Sequence, residues 1–425
     1  MSYVVPAQPT ADMEPVEDFR LRARAWMAEH LSAESEGVNV RTQPGRWDIE
    51  RGLQRRIWDG GFAGICFPKE YGGLGLSRAH QLAFTEESLA YDMPYSLNVP
   101  TFGILAATLI DFGTPEQQAR HLPKILMGEE LWVQFLSEPS GGSDLAGCLT
   151  RADRDGDVWV MNGSKIWSSG AADADYAMCL ARTNWDVPKH RGLTMFIMQI
   201  HQPGVTVEQI RQVDGSMEFC QEFFDDVPIP AENVIGEVDD GWTIASRLLV
   251  HERLATGGGS PYTSGRAGGH DADDDDNPLL DVVRASGTQG DEHVRHLVAE
   301  AFVRKVVHRQ MTVRLTQAMR TGAMPPPAGS LMKLFAALNV MRGAEIGLEL
   351  AGEDGVVWPA GKGLSTPGAK LGDHTLWRQG MSLGGGSNEI QRNIISERLL
   401  GLPREYAADR EVPYREVRRT GPTRA

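Results

Sequence analysis

The order in which the hydrophobic pattern changes along the chain is the strongest constraint on its fold. Residues 13–130 read as helix, residues 131–236 as strand, and residues 240–405 as helix again. Segregated elements of this kind predict an α+β chain, since a doubly wound sheet needs strands and helices in alternation. The chain has 425 residues, which at roughly 150 residues per domain suggests about three domains.

Within the first region, "EPVEDFRLRARAWMAEHL" sets Phe19, Ala23, Trp26 and His30 on one helical face. "TPEQQARHLPKILMGEE" predicts a helix with Thr114 as N-cap and Pro115 at the first helical position. The signal then changes. "DGDVWVMNGSKIW" reads as two β-runs joined at Asn162-Gly163, a strong hairpin cue. "DYAMCLART", "GLTMFIMQI" and "GVTVEQIRQV" add further strands.

Helix returns from about Gly241 to Thr256. "SLMKLFAALNVMRGAEIGLELAG" carries Leu334, Leu338, Met341, Glu345 and Leu348 at helical spacing. "SNEIQRNIISERLLG" is a last helix stopped by Gly401 and Pro403. The Gly/Asp-rich stretch at about 257–292 is expected to be a mobile surface loop, its acidic run a solvated face.

Composition removes several function classes. The formal net charge is −15, the wrong sign for neutralising phosphates along a nucleic acid. Cys66, Cys148, Cys179 and Cys220 form no C-x-x-C pair, so buried thiols are expected, with neither disulfides nor zinc. The first residues lack a signal-peptide pattern, and "VPTFGILAATLI" is too short to span a bilayer. A soluble, cytoplasmic protein is the expectation. No G-x-G-x-x-G follows a strand to open a helix, so a Rossmann dinucleotide site is not supported.

Five stretches, in order, resemble the acyl-CoA dehydrogenase family: "GFAGICFPKEYGGLGLS", "FGTPEQQARHLPKILMGE", "LSEPSGGSDLAG", "VMNGSKIWSSGAADADYAMCLART" and "GGGSNEIQRNIISERLLG". The likeness runs from roughly Phe19 to Leu402. It implies an N-terminal all-α domain, a middle β-barrel and a C-terminal four-helix bundle. FAD would lie between the last two, in a homodimer, a tetramer or a heteromer. The implied reaction is α,β-dehydrogenation of an acyl-CoA thioester. A base takes the α-proton, the β-hydride passes to flavin N5, and electrons leave to an acceptor such as an electron-transfer flavoprotein.

By the same resemblance, Leu136 and Ser137 would contact the flavin ring, and Ser143 the flavin and the substrate's pantetheine. Trp167 would pack on the flavin, Ser168 and Ser169 would touch it, and Ser387 and Glu389 would lie near its adenosine half. Glycines let backbone approach a flat ring and hydroxyls donate to it, which is the physical content of "SEPSGGSD".

The proton acceptor is less straightforward. Most of the family carries a glutamate just before the last helix, where this chain has Gly384-Gly385-Gly386-Ser387. A minority carries it on the helix after the β-barrel, immediately before an arginine. That position is Glu252, with Arg253 following, and Arg253 is also a candidate substrate contact. Taken alone the two read as a structural pair. With no acid at Gly385, Glu252 becomes the candidate base, since a base needs reach and a suitable pKa, not a fixed attachment point. The Gly385 N–H would polarise the thioester carbonyl. His251 is expected to face solvent. Small residues at 384–386 leave room near the reacting carbons, and the base in the minority position resembles long-chain, branched-chain and steroid-side-chain relatives, which implies a bulky or branched acyl group.

An R-x-x-F-G stretch that contacts a neighbouring subunit's FAD in many relatives is absent, which makes a heteromer an open alternative. An oxygen-using oxidase or monooxygenase on the same fold, or a non-catalytic acyl-CoA-binding subunit, are the rival functions.

Overall fold

The computed structural model describes residues 10, 12–33, 45–256, 260–264, 278–357 and 366–417. Helices α1 (Val16–His30), α2 (Arg46–Asp59) and α3 (Arg78–Glu87) open the chain. Three-residue α4 (Tyr95–Leu97) leads through π-helical Asn98–Ala106 into α5 (Ala107–Phe112), and α6 (Pro115–Leu126) follows. Pro100, which has no N–H to donate, lies inside the π-helical stretch.

Phe19, Ala23 and Met27 are the buried residues of α1, and Phe19 meets Phe62 edge-on at 5.7 Å. The expected face including Trp26 and His30 is therefore corrected by one position. His30 is exposed, because the 19/23/27 stripe is the one that meets α3 and Phe62. Thr114 caps α6 as expected: its hydroxyl accepts from the Gln117 N–H at 3.3 Å, and Pro115 stands at N1.

Among the described residues eight strands form one connected sheet: β1 (Trp132–Phe135), β2 (Arg151–Asp155), β3 (Val158–Ser169), β4 (Tyr176–Arg182), β5 (Leu193–Gln199), β6 (Val205–Gln209), β7 (Phe219–Pro230) and β8 (Val234–Ile235). The order is β6-β7-β3-β2-β4-β5-β8, with β1 joining β4 in parallel. The hairpin expected at Asn162-Gly163 is not there. β3 runs straight through it, and the β2–β3 turn falls at Gly156-Asp157, with Gly156 at φ 58°. Asn162-Gly163 is instead a bulge against β7, where Asn162 and Asp226 exchange side-chain and backbone bonds at 3.0 Å.

Helix α7 (Gly241–Thr256) packs on β5, on the π-helical stretch and on α5. Then come α8 (Pro278–Ser286), α9 (Glu292–Arg320), α10 (Gly329–Ala351), α11 (Pro367–Trp377), α12 (Gly380–Leu383) and α13 (Asn388–Ile394), which ends in a π-turn over Ile395–Leu399. The interval 257–292 is therefore not one loop. Tyr262 is buried against Phe67 at 4.9 Å, and 278–286 is helical. The acidic run lies outside the described residues.

On α10 the inward positions are mostly small, Ser330, Ala337, Ala344, Gly347 and Ala351, with Ile346 the one large side chain among them. Leu338 and Glu345, expected on that face, are exposed. Small side chains let α9 and α11 approach closely. Among the described residues no helix is long and apolar enough to cross a membrane.

Candidate active site

Three anchors set α7, and with it Glu252. At its N-terminus Gly241 is seated on β5: an added Cβ would stand 2.7 Å from the Thr194 backbone. One turn on, Arg247 Nε donates to Asp111 Oδ2 at 2.6 Å, and His251 Nε2 lies 2.9 Å from the same oxygen. Burial opposes a charge on Asp111, but His251 and Arg247 outweigh it and hold the carboxyl below its ordinary value. His251 is thus buried and paired, contrary to the solvent-facing expectation. The third anchor is Gln134 on β1, whose Nε2 donates to Glu252 Oε2 at 2.8 Å.

The inward stripe of α7 is Ile244, Ala245, Leu248, His251 and Ala255. Glu252 sits at its edge, half-buried, while Arg253 is exposed. Withdrawal from water raises the Glu252 pKa; Gln134, Arg253 and Lys333 pull it the other way without cancelling the rise. A carboxyl so shifted is a stronger base when ionised.

The turn at 384–386 closes on the same spot. Gly385 and Gly386 take φ of 68° and 91°, a region glycine enters without a Cβ penalty. A Cβ at Gly385 would stand 3.6 Å from Glu252 Oε1 and 3.3 Å from Lys333 Cε. Lys333, on α10, ties this turn down through the Met381 carbonyl. Ser387 is buried and caps α13, its hydroxyl accepting from the Ile390 N–H at 3.3 Å. Glu389 is exposed in the first turn, its carboxyl held below the ordinary value by its own backbone N–H and by Ser387.

On the sheet side, the Ile166 N–H donates to the Ser137 carbonyl at 2.9 Å, joining the "SEPS" segment to β3. The register with β7 slips between Ile166 and Ser168, leaving Trp167 on a bulge at φ 68° and 55% exposed. A non-glycine residue at positive φ is uncommon, and here it leaves a large aromatic face uncovered. Ser169 and Ser143 are also exposed, and the Leu136 carbonyl is held from behind by Lys165 Nζ at 3.1 Å.

Ser168 departs from expectation. Its hydroxyl turns into the β-domain and donates to Glu222 Oε2 at 3.0 Å, so the side chain is not presented to a ligand. The bulge is the reason, because it rotates Trp167 outward and the next residue inward. β1 ends at Phe135, and Leu136 and Ser137 carry the chain on from Gln134 to β3. The site therefore offers an aromatic face, exposed hydroxyls and a base along one edge, which fits a flat heterocycle beside a second, reacting ligand.

Sequence reading missed Gln134 and the pair behind Ser137. Lys165 is fully buried and bonds Glu138 Oε1 at 2.9 Å. Burial opposes the Glu138 charge, but Lys165 overrides it and brings the carboxyl down to about 2. The available signals were a lone amide in the apolar run "LWVQFL" and a lysine at an inward strand position.

Sequence models of three domains match in order: the acyl-CoA dehydrogenase N-terminal domain over residues 14–129, the middle domain over 134–227 and the C-terminal domain over 239–400. The chain is 36% identical to acyl-CoA dehydrogenase IpdE1 of Mycobacterium tuberculosis over 399 residues, covering 92% of this chain and 99% of that one. Among solved structures it superposes on the Tcur3481-Tcur3483 steroid ACAD at TM-score 0.73 and 27% identity, covering 92% and 99% of the two chains. It superposes on the ChsE4-ChsE5 complex from Mycobacterium tuberculosis at 0.67 and 27%, covering 93% and 100%.

Proposed function

The chain belongs to the acyl-CoA dehydrogenase family of oxidoreductases, and from that premise we propose that it oxidises a bulky acyl-CoA thioester with Glu252 as the proton acceptor. One observation carries this reading. Most relatives hang the acid at the position of Gly385, and here that position opens onto Glu252 Oε1 at 3.6 Å from where a Cβ would stand. Two attachment points reach one space, and only one of them bears a carboxylate.

In this reading Glu252 removes the α-proton: the C–H bond breaks, an O–H bond forms, and the electron pair stays on the thioester. The Gly385 N–H stabilises the charge that develops on the carbonyl oxygen. FAD, when bound, supplies the two-electron acceptor for the β-hydride. The Leu136–Ser137 backbone, Ser143, the Trp167 face and Ser169 are assigned to hold it. Ser387 and Glu389 are assigned to its adenosine half on family resemblance alone. Arg253, exposed beside the base, is assigned to the substrate.

Glycine at 384–386 leaves room for a wide acyl group, and similarity to a structure described as a steroid ACAD supports the same choice. Electrons pass on to an acceptor such as an electron-transfer flavoprotein. Similarity to two-chain complexes supports assembly with a second, related chain.

Glu252→Gln tests the base. The purified variant should stay yellow and still bind acyl-CoA. Anaerobic bleaching of the flavin by a panel of acyl-CoA thioesters should slow by roughly 10²–10⁴, the usual worth of a positioned acid–base group. Bleaching at the unmodified rate would assign the proton to another group.

A further inference from the structure

β1 is an apolar strand interrupted by one polar side chain. Trp132, Val133 and Phe135 are buried hydrophobics, and Gln134 stands among them. A carboxylate only accepts, so the amide nitrogen must be the atom that faces it. Nε2 donates to Glu252 Oε2 at 2.8 Å, well within the range of a charge-assisted bond. The carboxylate's other oxygen, Oε1, is the one beside Gly385. On the far side of the same amide, Gln134 Oε1 is buried and has no partner in the structure. Buried polar atoms left open in this way are rare, so the bond to Glu252 is what holds this amide in place.

We propose that Gln134 is a positioning residue: it pins Oε2 of Glu252 so that Oε1 alone is presented to the acyl chain's α-carbon. This rests on the assignment of Glu252 as base. The division of labour survives the proton transfer. The proton arrives on Oε1, and Oε2 remains an acceptor for the amide throughout. Gln134 does not ionise, so it fixes the acid without competing for the proton.

The bond to the amide also favours the charged form of Glu252 over the neutral one. The other groups facing this carboxyl are Arg253 on its own helix and Lys333 from α10, both cationic. α5 contributes Asp111, already paired with Arg247 and His251. Removing the amide donor should therefore shift the titration of Glu252 upward by about one pH unit, a tenfold change in its proton equilibrium.

The test uses the holoenzyme and Gln134→Met, which keeps length and loses the donor. Glu252 is followed by carbon NMR of side-chain-labelled glutamate, its resonance assigned by its loss in Glu252→Gln. The midpoint should rise by about one unit in Gln134→Met. Flavin reduction at pH 7, by whichever thioester bleaches the parent fastest, should fall roughly tenfold, with Kd for that thioester little changed. An unchanged midpoint overturns the proposal. A second measurement needs no substitution at 134: in the parent, the Gln134 side-chain amide resonance should move with the Glu252 titration, and a stationary amide also overturns it. If Glu252→Gln reduces normally, the base assignment itself fails; if it is inactive while Gln134→Met titrates like the parent, only the role of Gln134 fails.

Discussion

Glu138 and Glu222 lie in the same sheet interior and feel the same cation, Lys165, yet their carboxyls move in opposite directions. Glu138 bonds the lysine at 2.9 Å and takes N–H bonds from Leu149 and Thr150, so it stays ionised down to about 2. Its contribution to stability is present above the unfolded-state value and is lost as pH falls toward 2. Glu222 has the Ser168 hydroxyl on Oε2, its own backbone N–H and the more distant Lys165, while its Oε1 has no partner. Burial drives it from 4.5 up to about 7. With the folded value raised, the fold is favoured at low pH and loses stability as pH climbs from about 4.5 through 7. The loss amounts to about 3 kcal/mol at most. Glu222→Gln, which cannot ionise, should therefore raise Tm more at pH 8 than at pH 5, measured by calorimetry at both. An equal change at the two pH values would show that Glu222 is not the titrating group.

At the scale of elements, the decisive object is α7, because its seat fixes where Glu252 points. The Gly241 contact with β5 leaves no space for a methyl group. Gly241→Ala should push the helix N-terminus off the sheet, costing about 1–3 kcal/mol as other overpacked sites do. Its reduction rate should fall further than its flavin content, since the base swings with the helix. Denaturant melts and stopped-flow reduction measure the two effects. The helix bounds, Gly241 to Thr256, were legible from residues alone. Its facing was not. Spacing alone sets Trp242, Ala245, Leu249 and Glu252 on one stripe, of which only Ala245 is buried. The real stripe includes His251 because Asp111 waits for it on α5.

For the whole molecule, the C-terminal helices carry the surface that this single chain leaves uncovered. On α9, Phe302, Val303, Val307 and Val313 are 41–58% exposed, an apolar strip that a monomer has no reason to display. This is the face on which the proposed pairing with a second chain is tested. Phe302→Asp should shift the protein toward smaller species in sedimentation velocity. Flavin content should drop with it if the partner completes the cofactor site.

What the residues determined unaided was the order and kind of the elements: helices, then strands, then helices, with α6 capped by Thr114 and strands within 175–183, 192–200 and 204–213. Those follow from periodicity and capping, which act over a few residues. The tertiary structure decided the rest. Asn162-Gly163, a turn by local chemistry, became a bulge because twelve-residue β7 keeps pairing on both sides of it. Ser168 turned inward because the bulge at Trp167 shifts its facing, and there Glu222, 54 residues away, accepts its hydroxyl. Gln134 and Glu252 meet across 118 residues, and Lys165 finds Glu138 across 27. Such partners are brought together only by packing, and neither member carries a local signal of the other.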